Sequence, residues 1–306
     1  MFFTITLMSV GIMLLYSFPG FALVKTRMVK SEAIPGFTTV LMYVCQPCLT
    51  IYSFQKTAFS VPLVKNLGIF FVLALIIQIF FLGIFYLIFR KKHGDIKYRI
   101  CTLATTLGNC TFMGVPLLEA LFPDNPETIM YSLAYFLAMS ILCWTVVSYI
   151  ITQDKKYISM KKLFLNPAMI SMAIAIPIFV TGIKIPDKLM DAFTLLGKMT
   201  TPLCMLVLGM RLATVPLKPI FTSRLQYFAI GIKQLLLPLA AFLILYFLPL
   251  DTVMKQTLFI LASTPVASVV LNFAEMLDEG QDTAANVVLL GTLASIVTIP
   301  LMSLLL

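Results

Sequence analysis

The sequence predicts an all-α integral membrane protein. It is read as ten transmembrane helices forming two inverted five-helix repeats, with helices 4 and 9 broken and crossing at mid-membrane. Three observations lead there. Of 306 residues, 60% are apolar and 11% charged, against about 25% charged in an ordinary soluble domain, and the mean hydropathy is +1.00. Ten apolar stretches each approach the roughly 20 residues that cross a hydrocarbon layer. The two halves resemble each other when displaced by roughly 155 positions, the mark of an internal repeat.

The ten spans fall at residues 2–24, 34–54, 63–89, 100–122, 128–151, 166–183, 189–212, 225–248, 253–276 and 283–305. No positive residue precedes the first, and Lys25, Arg27 and Lys30 follow it, so it is expected to remain as a helix and not to be cleaved as a signal peptide. The first repeat occupies residues 1–151, a short basic cytoplasmic linker 152–165, and the second repeat 166–306.

Cations on alternate sides of ten spans set the orientation. One side collects Lys25, Arg27, Lys30, Arg90, Lys91, Lys92, Lys97, Arg99, Lys155, Lys156, Lys161, Lys162, Arg211, Lys218 and Arg224, fifteen in all. The other collects six: Lys56, Lys65, Lys184, Lys188, Lys198 and Lys255. The richer side belongs in the cytoplasm, so both termini are expected outside the cell membrane. The same rule accounts for the net charge of +9 without a nucleic-acid partner.

Enzymatic signatures are lacking. There is no His cluster, no His-Glu-x-x-His, no Gly-x-Ser-x-Gly and no pair of mid-membrane carboxylates. Cys45-Gln46-Pro47-Cys48 has the spacing of a redox or metal pair, but the sole histidine, His93, lies in a loop and no second Cys pair follows. No metal, cofactor or disulfide framework is expected, because Cys inside an apolar run behaves as a small hydrophobe.

The chemistry gathers at two irregular stretches. Residues 107–116 read Leu-Gly-Asn-Cys-Thr-Phe-Met-Gly-Val-Pro, and residues 262–268 read Ala-Ser-Thr-Pro-Val-Ala-Ser. Gly108, Gly114 and Pro116 cannot sustain one continuous helix, so the fourth span should break there, and the ninth at Pro265. Five spans per repeat is an odd number, so the second copy enters the membrane from the opposite face. Backbone groups freed by two breaks at mid-depth must be satisfied by protein, water or ligand. Together they would form a small polar chamber, and the N-terminal ends of the second half-helices favour an anion. Asn109, Thr111, Ser263, Thr264 and Ser268 are its expected lining, beside Gly108. The plainer alternative is a pair of ordinary kinks at which small polar residues help helices pack; matching breaks in two repeats favour the chamber.

Lys233 is the one cation inside a span. It sits nine residues beyond Arg224, about 13 Å into the bilayer at 1.5 Å per residue. The simpler expectation is that Lys233 and Gln234 stretch toward the cytoplasmic surface; the alternative is that Lys233 compensates a substrate carboxylate. Glu119 and Glu275 close the fourth and ninth spans and are expected to be solvated. No Asp or Glu falls near the middle of a span. The usual proton carrier is therefore missing, and sodium held by backbone carbonyls and uniport both stay open.

These residues resemble the auxin efflux carrier family. Gly108-Asn109-Cys110-Thr111-Phe112-Met113-Gly114-Val115-Pro116-Leu117-Leu118 is similar to its fourth-helix signature, Pro265-Val266-Ala267 with Phe273-Ala274-Glu275 to its ninth, and Pro47, beside Gln46, to its helix 2 proline. The resemblance runs the full length. It implies a scaffold lobe of helices 1, 2, 6 and 7 that mediates a homodimer, and a moving transport lobe of helices 3–5 and 8–10. It places Asn109 on a substrate carboxylate near a crossover marked by Pro116 and Pro265, with Gln46 nearby. Plant members carry Gln after the helix 9 proline where this chain has Val266, which leaves Ser268 or Asn272 to supply the second contact. The long loop of many plant exporters is absent, so the substrate is not read as auxin itself. The expectation is a secondary active transporter that moves a small organic anion across the cell membrane by an elevator-like, alternating-access motion. The alternatives are a passive, channel-like facilitator and a non-transporting receptor.

Overall fold

The computed structural model describes residues 2–214 and 223–306, which are helical apart from their connections; Lys218 lies outside the described residues. In chain order the helices are α1 (Phe2–Lys25), α2 (Ser31–Lys56), α3 (Val61–Lys92), α4 (Ile96–Ala104), α5 (Gly114–Leu121), α6 (Glu127–Thr152), α7 (Lys155–Thr181), α8 (Asp187–Thr214), α9 (Arg224–Tyr246), α10 (Thr252–Ser263), α11 (Val269–Leu277) and α12 (Gln281–Leu305). Eight of them, all but α4, α5, α10 and α11, are long and apolar enough to cross a membrane. The predicted fourth and ninth spans are each divided, into α4 and α5 and into α10 and α11.

Seven of the eight long helices match their predicted spans to within three residues at each end. α7 is the exception, because the linker is not a plain connection: a turn at Lys155–Tyr157 and a short helix at Met160–Phe164 lead into the main helix Pro167–Thr181. Capping explains several starts. The Asn166 side chain accepts from the Ala168 N–H ahead of Pro167, and Asp251 accepts from Val253 and Met254, satisfying donors that a first helical turn leaves free.

Proline also shapes helix interiors. π-helical turns at Leu41–Cys45 in α2 and Ile232–Leu236 in α9 directly precede Pro47 and Pro238. A proline ring clashes with the carbonyl four residues back and donates no N–H, and one wider turn accommodates both defects without breaking the helix. The third π turn, Cys143–Val147 in α6, has another cause: Ser148 Oγ donates to the Cys143 carbonyl at 2.7 Å.

Two close approaches organise the packing. A Cβ at Gly20 would strike the Leu206 carbonyl, and one at Gly209 the Ser17 carbonyl, so α1 and α8 meet backbone to backbone as only small residues permit. Gly197 brings α8 onto α2, where a Cβ would sit 3.0 Å from Leu49 Cα. α3 and α6 join through stacked Phe70 and Tyr131 rings, 4.7 Å apart. Side chains of α10 from Thr257 to Ser263 are buried throughout, whereas Phe80, Leu87, Leu243 and Val297 on the long helices are exposed. The interrupted helices are thus wrapped by the others, which turn apolar surface outward as lipid contact requires.

Candidate functional site

α4 ends at Ala104 and α5 begins at Gly114, while α10 ends at Ser263 and α11 begins at Val269. Residues 105–113 and 264–268 lie between them without regular helix, and Gly108 and Val266 form an antiparallel bridge. The Asn109 N–H donates to the Pro265 carbonyl at 2.8 Å, and the Ala267 N–H to the Leu107 carbonyl at 3.0 Å. Ser132 Oγ on α6 donates to the Cys110 carbonyl at 2.7 Å. Each break therefore satisfies main-chain groups that the other leaves free, which is what makes two breaks side by side tolerable away from water.

The first break lies earlier than predicted. Gly114 and Pro116 are the first and third residues of α5. Proline is tolerated in the first turn of a helix, so Pro116 sits at the start of α5 and does not break it. Within residues 105–113 the Leu107 carbonyl and the Asn109 N–H find partners across the crossing, and the Cys110 carbonyl finds one on α6.

A cavity of about 540 Å³ opens beside the crossing. Its inner end is formed by Gly108, Asn109, Cys110, Thr111 and Phe112 from one break and Ala267, Ser268 and Val269 from the other, with Asn272 one turn into α11. Walls come from Met42 of α2, Phe136, Met139, Ser140 and Trp144 of α6, Met205 and Leu208 of α8, and Val288 and Thr292 of α12. Arg211, Glu275, Gln281 and Asp282 line the mouth. The cavity thus has apolar and aromatic walls around a polar floor. The Asn109 and Asn272 side-chain amides make no hydrogen bond to a described residue, so both can bind a guest. Arg211 and Glu275 form an ion pair with each other, so Glu275, expected to be solvated, is half-exposed and paired.

Of the predicted lining, Gly108, Asn109, Thr111, Ser268 and Asn272 reach the cavity. Ser263 and Thr264 do not: their hydroxyls turn back to the carbonyls of Phe259 and Leu261, at 2.8 and 2.7 Å. Gln46 is buried outside the cavity, because the Gly197 contact seals α2 against α8 at Cys48 and Leu49. Thr38, Leu41 and Met42, earlier on α2, line the cavity instead. Pro265 contributes its carbonyl to the crossing.

Lys233 does not stretch to the surface. It is 0% exposed and donates to the carbonyls of Ala262 at 2.6 Å and Thr264 at 2.7 Å. Gln234, its neighbour, donates to the Gly291 carbonyl and accepts from Thr298 Oγ1. The nearest signal in the sequence was Pro238, whose π turn reorients both side chains. The α6 wall was also missed, although Phe136, Met139, Ser140 and Cys143 share one helical face by their spacing.

Among the described residues no group of three or more His, Cys, Asp or Glu side chains is placed to hold a metal ion. No curated protein matches the chain. A family model described as "Membrane transport protein" matches residues 5–160 and 155–303, which together take in nearly the whole sequence. The chain belongs to that family, the auxin efflux carriers, and is a multi-pass membrane transporter.

Proposed function

We propose that this transporter is a secondary carrier of a small organic anion, a carboxylate, and that the anion binds at the crossing. One observation carries the reading: residues of both breaks, Gly108 to Phe112 and Ala267 to Val269, line one cavity together with Asn272, and the side-chain amides of Asn109 and Asn272 have no hydrogen-bond partner among the described residues. The N–H groups of two unpaired side-chain amides and the positive end of the α11 dipole, whose first residue Val269 lines the cavity, then face one space, an arrangement that suits a carboxylate. Thr111, Ser268 and Asn272 supply further polar contacts, and the apolar walls take the remainder of the guest.

The packing supports a ten-span fold of two inverted repeats. α1 packs on α8 through Gly20 and Gly209, and the related α7 packs on α2, with Ser171 donating to Thr50 at 3.4 Å. α3 joins α6 through Phe70 and Tyr131, and the related α9 joins α12 through Gln234 and Gly291. In this reading α1, α2, α7 and α8 are the scaffold and the dimer-forming lobe, and the remaining helices move past them as an elevator. The mouth lies on the basic side: Lys162 of the linker sits 5.7 Å from the Trp144 ring, and Arg211 lines the opening. By the positive-inside rule that side is cytoplasmic, so both termini face outward from the cell membrane and this conformation is open inward.

Counterflow of labelled malate and of labelled phenylacetate into proteoliposomes tests the proposal. A carrier shows trans-acceleration, because its site is exposed alternately, whereas a channel or a receptor shows none. Asn109→Ala should sharply reduce the accelerated component; undiminished counterflow would remove Asn109 from the site.

A further inference from the structure

Lys233 is enclosed, and among the described residues it forms no ion pair, the two pairs present being Arg99 with Glu279 and Arg211 with Glu275. Two of the three protons of its ammonium go to the carbonyls of Ala262 and Thr264. Both oxygens belong to the C-terminal end of α10, whose last helical residue is Ser263. Carbonyls at such an end lack helical N–H partners and carry partial negative charge. In transporters with discontinuous helices, oxygens of this kind coordinate a coupling cation. Here a covalently attached cation takes them.

The site is built, and from several elements. The π turn at Ile232–Leu236 carries Lys233, and Gln234, held to Gly291 and Thr298, pins that turn. Gly108 of the other break makes room: a Cβ there would lie 3.0 Å from Lys233 Nζ and 2.7 Å from Thr264 Oγ1. The ammonium therefore stands directly behind Gly108, which lines the cavity, without entering the cavity itself.

We propose that the Lys233 ammonium is a tethered counter-cation: it fills the carbonyl site at the end of α10 in place of a soluble monovalent cation, so that this chain binds its anion without sodium. A soluble ion leaves its site once per cycle and transmits its own gradient; a lysine stays. The crossing thus keeps its counter-cation tethered behind Gly108 throughout the cycle, and binding draws on no sodium gradient. The part that concerns substrate rests on the anion-carrier reading above, whereas occupancy of the carbonyl site does not.

Thermal unfolding of the purified full-length protein tests this, with sodium chloride exchanged for choline chloride at constant ionic strength. The wild type should melt at the same temperature in both. Lys233→Ala opens the site and should melt lower. Propylammonium, which replaces the deleted side chain, or sodium should then raise its melting temperature saturably by roughly 3 °C or more. Lys233→Met, which keeps the volume without the charge, should gain nothing from propylammonium. Saturable stabilisation of the wild type by sodium overturns the proposal, as does a Lys233→Ala protein that melts like the wild type and ignores both cations. Should Lys233→Ala not fold, the wild-type comparison decides by itself. Counterflow of malate and phenylacetate run in choline separates this from the carrier reading. Counterflow that requires sodium sinks the tethered cation and leaves the carrier standing. Absent counterflow beside a cation-responsive Lys233→Ala does the reverse.

Discussion

The peptide N–H of Asn109 donates to the carbonyl oxygen of Pro265 at 2.8 Å, so the residue whose side chain faces the cavity is held by its main chain to the opposite break. Anchoring and binding are thereby divided between two groups of one residue. The framework of the crossing does not depend on the Asn109 amide, and the amide is free for a guest.

Asn109→Ala should consequently keep the wild-type melting temperature while weakening carboxylate binding. A hydrogen bond to a charged group contributes about 1.5–3 kcal/mol, which corresponds to roughly a 10- to 100-fold loss of affinity. Asn109→Pro removes the anchoring N–H and should lower the melting temperature as well. Thermal unfolding with and without malate or phenylacetate reads both effects.

Gly108→Ala places a methyl 2.7 Å from Thr264 Oγ1 and 3.0 Å from Lys233 Nζ. Inserting a methyl into a packed site costs about 1–3 kcal/mol, and here the strain falls on the crossing. A Gly108→Ala protein that unfolds at the wild-type temperature would show that the two breaks are looser than their bonds imply.

At the contact of α1 with α8, Gly209→Val would drive a branched side chain into the Ser17 carbonyl. Rigid backbone cannot yield as a side chain does, so the loss should reach or exceed the upper end of the overpacking range, about 3 kcal/mol. Gly11→Ala on α1, where nothing lies within 4 Å of the added Cβ, is the control and should not lower the unfolding temperature, since alanine favours a helix interior over glycine.

His93, just past α3, is buried beside Tyr86, with ring centroids 5.0 Å apart. The Thr102 hydroxyl donates to the Tyr98 carbonyl at 2.8 Å, so the ring donates from Nε2 to Thr102 Oγ1 at 3.2 Å. Burial, and then the Arg99 charge, lower its pKa from the ordinary 6.5. The unfolded chain therefore takes up this proton more readily than the folded one. Its contribution to stability is complete above pH 6.5 and is lost as pH falls through the lower, folded value. Acidification from about pH 7.5 to 5.5 should lower the wild-type melting temperature more than that of His93→Gln, and equal losses would contradict this assignment.

The sequence alone determined where the chain is apolar enough to span, where glycine and proline interrupt it, and that both interruptions carry small polar residues. These are properties of consecutive residues: hydropathy summed along a helix, a missing N–H at Pro265, a missing Cβ at Gly108. It also contained the cause of the π turn in α9, in Pro238. What the tertiary structure decided was the offset of the first break to residues 105–113, the choice of α6 and α8 residues as cavity walls, the exclusion of Gln46, Ser263 and Thr264 from that cavity, and the burial of Lys233. Each depends on partners far along the chain, such as the Ala262 and Thr264 carbonyls that accept from Lys233 across 29 and 31 positions. A helix unwinds only as far as another segment can satisfy its freed backbone groups, and a buried ammonium is tolerable only where oxygens converge on it. Local propensity contains neither fact, because both arise when separate segments pack.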